Sequence, residues 1–242
     1  MKKSVLAVLL IAVVLIIDQW SKVYIKTNFE YGSGFDILGL EWAKIHFVEN
    51  EGMAFGLSFG GVKGKYVLSV FRILMAGFLI YMLRRMIIEG EKKGLIISFS
   101  LIVAGAIGNI IDSLFYGIIF SESHYHGGVA TFLPEGGGYS GFLQGKVVDM
   151  LYFPLIDTVL PSWVPIWGGE RFEFFKPVFN VADSAITVGV FIILIGYRSF
   201  FKSEKENKST EKAKGQSENQ QNTTGTESVI EDTSINSEEK SD

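Results

Sequence analysis

Four apolar runs, at about 4–24, 66–82, 95–115 and 178–197, constrain this chain more than any other feature. Each is close to the roughly 20 residues that an α-helix needs to cross the hydrocarbon of a bilayer. Lipid offers the backbone no hydrogen-bond partners, so runs of this kind read as spanning helices. The fold class expected is an all-α polytopic membrane protein with four transmembrane helices. Composition agrees, with 48% of the 242 residues hydrophobic and 20 of them Phe. The first run has Lys2 and Lys3 before it, as a secretory signal would. Asp18-Gln19-Trp20 follows it with no small-x-small cleavage site, so a retained helix is expected.

Charge is unevenly spread. The net value is −4, but the segment 203–242 alone holds five Lys and ten Asp or Glu, which leaves the rest near neutral. A near-neutral body offers no basic face for nucleic acid. The tail is rich in Ser, Thr, Asn, Gln, Glu and Lys, the composition of a disordered acidic segment. A membrane domain over 1–202 and a cytoplasmic tail over 203–242 are therefore expected. No cysteine is present, which excludes disulfides and a thiol nucleophile.

Basic residues set orientation. Arg84, Arg85, Lys92 and Lys93 lie between the second and third runs, and Lys2, Lys3, Arg198, Lys202 and Lys205 flank the termini. Placing them all in the cytoplasm puts the two long connections, about 25–65 and 116–177, outside. Lys26, Lys44, Lys63 and Lys65 blur the bias. In the first connection Glu41 to Val48 alternates polar and apolar, as a half-buried strand does. In the second, Trp163, Ile166, Trp167, Phe172, Phe174 and Phe175 suit the headgroup level.

Acids inside apolar runs are costly and mark function by default. At 1.5 Å of rise per residue, Asp18 and Asp183 each lie about 21 Å from the inner surface, and Asp112 about 25 Å. All three fall in the outer third of a core of roughly 30 Å. Asp149, in Lys146-Val147-Val148-Asp149-Met150 of the outer connection, reaches the same level without crossing. Two neighbouring carboxylates do not both ionise easily, so one keeps a proton while the other acts as a base. That pairing supports general acid–base hydrolysis of an amide without metal or covalent intermediate. Helix capping, helix–helix hydrogen bonding and an ion-coupled transporter place acids at the same depth.

The polar islands, in order, are Asp18-Gln19-Trp20-Ser21-Lys22, Asn50-Glu51-Gly52-Met53-Ala54-Phe55-Gly56, Gly105-Ala106-Ile107-Gly108-Asn109-Ile110-Ile111-Asp112, Val147-Val148-Asp149 and Phe179-Asn180-Val181-Ala182-Asp183. Five islands in register along about 170 residues resemble the bacterial lipoprotein signal peptidases (signal peptidase II). The resemblance implies a four-helix inner-membrane aspartyl endopeptidase with a small extracytoplasmic β-cradle over about 35–58. Such an enzyme removes signal peptides from diacylglyceryl-modified prolipoproteins, cutting on the amino side of the lipidated cysteine. It implies Asp149 and Asp183 as the catalytic pair, with Asp18, Lys22, Asn50, Gly52, Asn109, Asp112, Asn180 and Ala182 as supporting or substrate-contacting positions. Prolipoprotein and membrane lipid are the partners implied, with no cofactor or metal, and nothing demands more than a monomer.

Spacing adds physical content. Lys22 follows Asp18 by one helical turn and can pair with it, or snorkel to the headgroups. Asn109 and Asp112 share a helix face, as do Gly105 and Gly108. There are departures from the family. Ser113 stands where the resemblance implies an arginine, and Lys146 or another residue of the outer loop is the expected substitute. The link from Asp112 to Asp149 is also enlarged over about 116–146. It carries Glu122, His124 and His126, which read as an ordinary polar loop, without the H-E-x-x-H helix of a zinc site. A lid over the carboxylate pair is one role for this insert.

Overall fold

The computed structural model describes residues 1–51, 61–125, 127–154, 156–174 and 177–196. Its chain divides into a unit spanning Met1–Ile193 and a second, Leu194–Asp242, of which 194–196 are described. Among the described residues, three helices are long and apolar enough to cross a membrane: α1 (Lys3–Asn28), α2 (Gly61–Ile88), and α3 (Lys93–Ile111) with its continuation to Ile119. That continuation is a π-helical turn, Asp112–Tyr116, followed by the short α4 (Gly117–Ile119). The fourth apolar helix, α5 (Val181–Gly196), has 16 residues. It starts later than the run at 178–197 suggests because Val178–Phe179 (β6) pairs with a strand and Asn180 caps the helix.

Helix α1 shows an inside-out distribution. Val8, Leu9, Val13, Ile16, Ile17 and Trp20 are exposed, whereas Asp18, Lys22 and Lys26 are fully buried. The three charges recur every four residues and so form one stripe, turned toward the protein while the oily side faces outward. Lys26, assigned to the outer loop by the sequence, is instead the last charge on this stripe. A helix that buries its charges and exposes its aliphatics is built for lipid rather than water.

Outside the helices lies a four-stranded antiparallel sheet in the order β1 (Gly34–Asp36), β2 (Lys44–Asn50), β3 (Val147–Tyr152), β6. Strand β2 falls close to the alternation at Glu41–Val48, and a bulge between Ile45 and Val48 shifts its register against β3. Strand β3 carries Val147-Val148-Asp149. It is buried over its first four residues because β2 and β6 flank it on either edge. Ile25, Phe47, Tyr116, Phe120, Val148 and Met150 form one apolar cluster, which joins the C-terminal end of α1 to the sheet and the insert. A separate hairpin pairs β4 (Ile156–Val159) with β5 (Arg171–Phe174). Its connection leaves Trp163, Ile166 and Trp167 exposed.

The insert is strapped down on three sides. Lys26 Nζ forms an ion pair with Glu49 of β2, donates to Ser123 Oγ at 2.8 Å, and lies over the rings of Phe120 and Tyr139. Tyr125 packs edge-on against Tyr31 at 4.5 Å between ring centroids. On α2, Ser69 Oγ donates to the carbonyl of Leu143, and Gln144 donates to the Tyr66 hydroxyl. Separating a buried ion pair costs about 3–5 kcal/mol. These contacts hold the insert against α1, α2 and Tyr31.

Candidate active site

The side chains meet where α3, α5 and β3 come together, and the approach of the helices decides the geometry. A Cβ on Gly105 would lie 2.2 Å from the carbonyl oxygen of Ala182, and one on Gly108 would lie 2.6 Å from Asp18 Oδ2 and 3.1 Å from the Ala182 methyl. Only glycine lets α3 and α5 come this close. Ala182, fully buried, donates its backbone N–H to Asp18 Oδ1 at 2.8 Å, so the Asp18 carboxylate sits at the N-terminus of α5.

Lys22 organises the α1 side. Its ammonium contacts Asp18 Oδ2, Asp112 Oδ2 and Asn109 Oδ1, each at 2.9 Å, which uses all three of its donors. Pairing rather than snorkelling is the outcome. Asp112 also accepts from Gln19 Nε2 at 2.9 Å and from the Val148 backbone N–H at 3.2 Å, which ties β3 to the end of α3. Tyr116 donates to Gln19 Oε1 at 3.2 Å.

Asn180 organises the other side. As the N-cap of α5 it accepts the Asp183 N–H on Oδ1 at 2.8 Å, while Asp183 Oδ2 accepts the Asn180 N–H at 3.3 Å. This is a reciprocal capping box, with Asp in the place usually held by Glu. The other end of the Asn180 amide donates to Asp149 Oδ1 at 2.8 Å and Asn109 Oδ1 at 3.0 Å. Asn109 in turn donates to Asp183 Oδ1 at 2.8 Å. Two amides therefore bracket the carboxyls of Asp149 and Asp183 and set their rotamers. Asp149, 4% exposed, has its carboxyl pushed up to about 7, first by burial and then by the charge of Asp183.

Asp18, Lys22, Asn109, Asp112, Asp149, Asn180, Ala182 and Asp183 thus belong to one connected network. Asn50 stands at the end of β2, opposite Val147 and two pairs along from the Val48–Asp149 pair. Gly52 lies outside the described residues. Two features escaped the sequence reading. Arg72, in the middle of α2, donates from Nη1 to Ser113 Oγ at 3.3 Å; an arginine within an apolar run was the available signal. Gln19 joins Asp18, Gly108 and Asp112, and as the neighbour of Asp18 it carried no signal of its own. Lys146 is one residue that the sequence offers as a stand-in for the missing arginine. It pairs with Glu122 at 3.3 Å and lies over Tyr139, both within the insert. Among the described residues no group of three or more His, Asp or Glu is placed to hold a metal, and His126 lies outside them.

The family model described as Signal peptidase (SPase) II matches residues 10–199. The chain belongs to the signal peptidase II family. A lipoprotein signal peptidase of Porphyromonas gingivalis is 50% identical over 189 residues, covering 78% of this chain and 80% of its own. Another, from Amoebophilus asiaticus, is 36% identical over 187 residues, covering 76% and 74%. A solved bacterial membrane enzyme shares the fold at 23% identity, with a TM-score of 0.51 over 83% of this chain and 92% of that one. As a signal peptidase II family member, the protein is a protease, and its long apolar helices make it a multi-pass membrane protein.

Proposed function

We propose that the protein removes signal peptides from diacylglyceryl-modified prolipoproteins, cutting on the amino side of the lipidated cysteine with Asp149 and Asp183 as an acid–base pair. The observation that carries this reading is the bracket of Asn180 and Asn109 around both carboxyls. The pair shares one proton and titrates as a unit. Its ionised member takes a proton from water as the oxygen attacks the scissile carbonyl carbon, and its protonated member donates to the carbonyl oxygen. The resulting diol collapses: one of its hydroxyls gives its proton to the ionised carboxylate, the C–N bond breaks, the leaving nitrogen takes the proton of the other carboxyl, and the pair again holds one shared proton. The relatives' name, lipoprotein signal peptidase, supports the substrate class.

The same reading places α5 as a fourth span, both termini in the cytoplasm, the sheet as the cradle under an extended substrate, and the pair near the outer face. Burying acyl chains is worth roughly 0.8 kcal/mol per CH₂, so lipid carries much of the recognition. The family assignment displaces a transporter. The test is to incubate the purified full-length protein with a prolipoprotein with and without its diacylglyceryl group and to weigh the products. Cleavage before the cysteine of the modified form alone is expected. Equal cleavage of both forms, or cleavage of neither, contradicts the proposal.

A further inference from the structure

A guanidinium inside a spanning helix is expensive to keep there without a task. Arg72 lies in the interior of α2, half-buried, with its Nη1 on the hydroxyl of Ser113. That hydroxyl donates to the carbonyl of Asn109 at 3.1 Å, and the Asn109 amide holds Asp183. Arg72 is thus two hydrogen-bonded residues from one member of the carboxylate pair. Burial disfavours its charge, and the nearby carboxylates that favour it are Asp183, then Asp149, then Asp112.

The charge balance explains why a cation is needed here. Four carboxylates, those of Asp18, Asp112, Asp149 and Asp183, share one hydrogen-bond network. Lys22 spends all three of its donors on Asp18, Asp112 and Asn109, so it makes no direct contact with the pair. With one proton shared, Asp149 and Asp183 still keep a negative charge, and burial of Asp149 makes an uncompensated charge there costly. Among the described residues, the charges that act on the pair include Lys22 from α1, Arg72 from α2 and Asp112 from the end of α3, with Asp18 one step further on, paired to Lys22.

We infer that Arg72 is a positioning residue for the reaction, its guanidinium, seated on Ser113, stabilising the single negative charge of the Asp149–Asp183 pair. This rests on the acid–base reading of the two aspartates. It also accounts for Ser113: a small hydroxyl there leaves room for the guanidinium to arrive from α2.

The test is the pH dependence of kcat/KM on a diacylglyceryl-modified precursor, measured with full-length protein in lipid-doped micelles. Wild type is compared with Arg72→Gln, Arg72→Lys and the exchange Arg72→Ser/Ser113→Arg. Losing the cation raises the proton affinity of the pair, so both limbs of the Arg72→Gln profile move to higher pH, by about one unit. Arg72→Lys and the exchange return them toward wild type. A profile for folded Arg72→Gln that superimposes on wild type, whatever its height, reduces Arg72 to packing and overturns the inference. If thermal unfolding shows that Arg72→Gln does not fold, the exchange decides: a wild-type profile supports the inference, and a folded but inactive protein overturns it. Asp149→Asn and Asp183→Asn are run in parallel. Continued cleavage by either defeats the acid–base reading itself, whereas their loss beside an unmoved Arg72→Gln profile defeats only the role of Arg72.

Discussion

Lys22 and Lys26 sit one turn apart on the same face of α1, and both are completely buried, yet they do different work. Lys22 is enclosed by two carboxylates and an amide and holds together the helices that carry the candidate site. Lys26 is enclosed by one carboxylate, one hydroxyl and two aromatic rings and holds down the insert. The same residue type, on the same helix, becomes part of the candidate site or of a structural clamp according to how many acids surround it. A lysine shared between two acids leaves a net negative site in need of further charge. A lysine matched to one acid is electrically finished.

Lys22→Met should give the larger effect. It leaves Asp18 and Asp112 buried without a counter-charge, a loss of about 3–5 kcal/mol or more, read as a collapse of folded yield and unfolding temperature in micelles. Lys26→Met strands only Glu49, so the loss should be smaller and the folded fraction should still cleave. Replacing both partners, Lys26→Met with Glu49→Leu, removes the charges together and should restore most of the stability. If the double variant is as unstable as Lys26→Met alone, the clamp is not electrostatic. If Lys22→Met is no worse than Lys26→Met, the contrast between the two lysines fails.

A pH effect separates the regions more gently. The Asp149 carboxyl, raised to about 7 from an ordinary value near 3.8, keeps its proton in the folded protein where the unfolded chain has lost it. Folding therefore binds the extra proton between those values, and stability falls as pH rises from about 4 to 7. Thermal unfolding should be lower at pH 8 than at pH 5, with the difference reduced in Asp149→Asn. Cleavage should decline as pH rises through about 7, when the pair loses its shared proton. An unchanged pH response in Asp149→Asn would remove that group from the account.

Much of this was legible in the residues. The four-residue spacing of Asp18 and Lys22 put the two charges within reach of each other, and the three-residue spacing of Gly105 and Gly108 put both on one face, because both follow from helical geometry alone. The alternation at Glu41–Val48 gave a strand, shifted by a few residues. Val147-Val148-Asp149 gave no such signal, since a strand flanked on both edges reads as an unbroken apolar run. The start of α5 was misplaced by three residues because Val178 and Phe179 are as apolar as the helix, and only the capping by Asn180 separates them. The fixing of the insert was invisible, because it depends on Lys26 meeting Ser123, 97 residues away. Arg72 was in plain view but its partner was not, since contacts between helices leave no periodic trace.

The central claim is that Asp149 and Asp183 together perform the cleavage. The most direct measurement is the rate of processing of a diacylglyceryl-modified precursor by Asp149→Asn and Asp183→Asn, each shown to be folded by its unfolding temperature. Each substitution removes one acid–base group from a pair that acts as a unit, so each should lower kcat by about 10²–10⁴-fold. Folded Asp149→Asn or Asp183→Asn that processes the precursor at the wild-type rate would contradict the account.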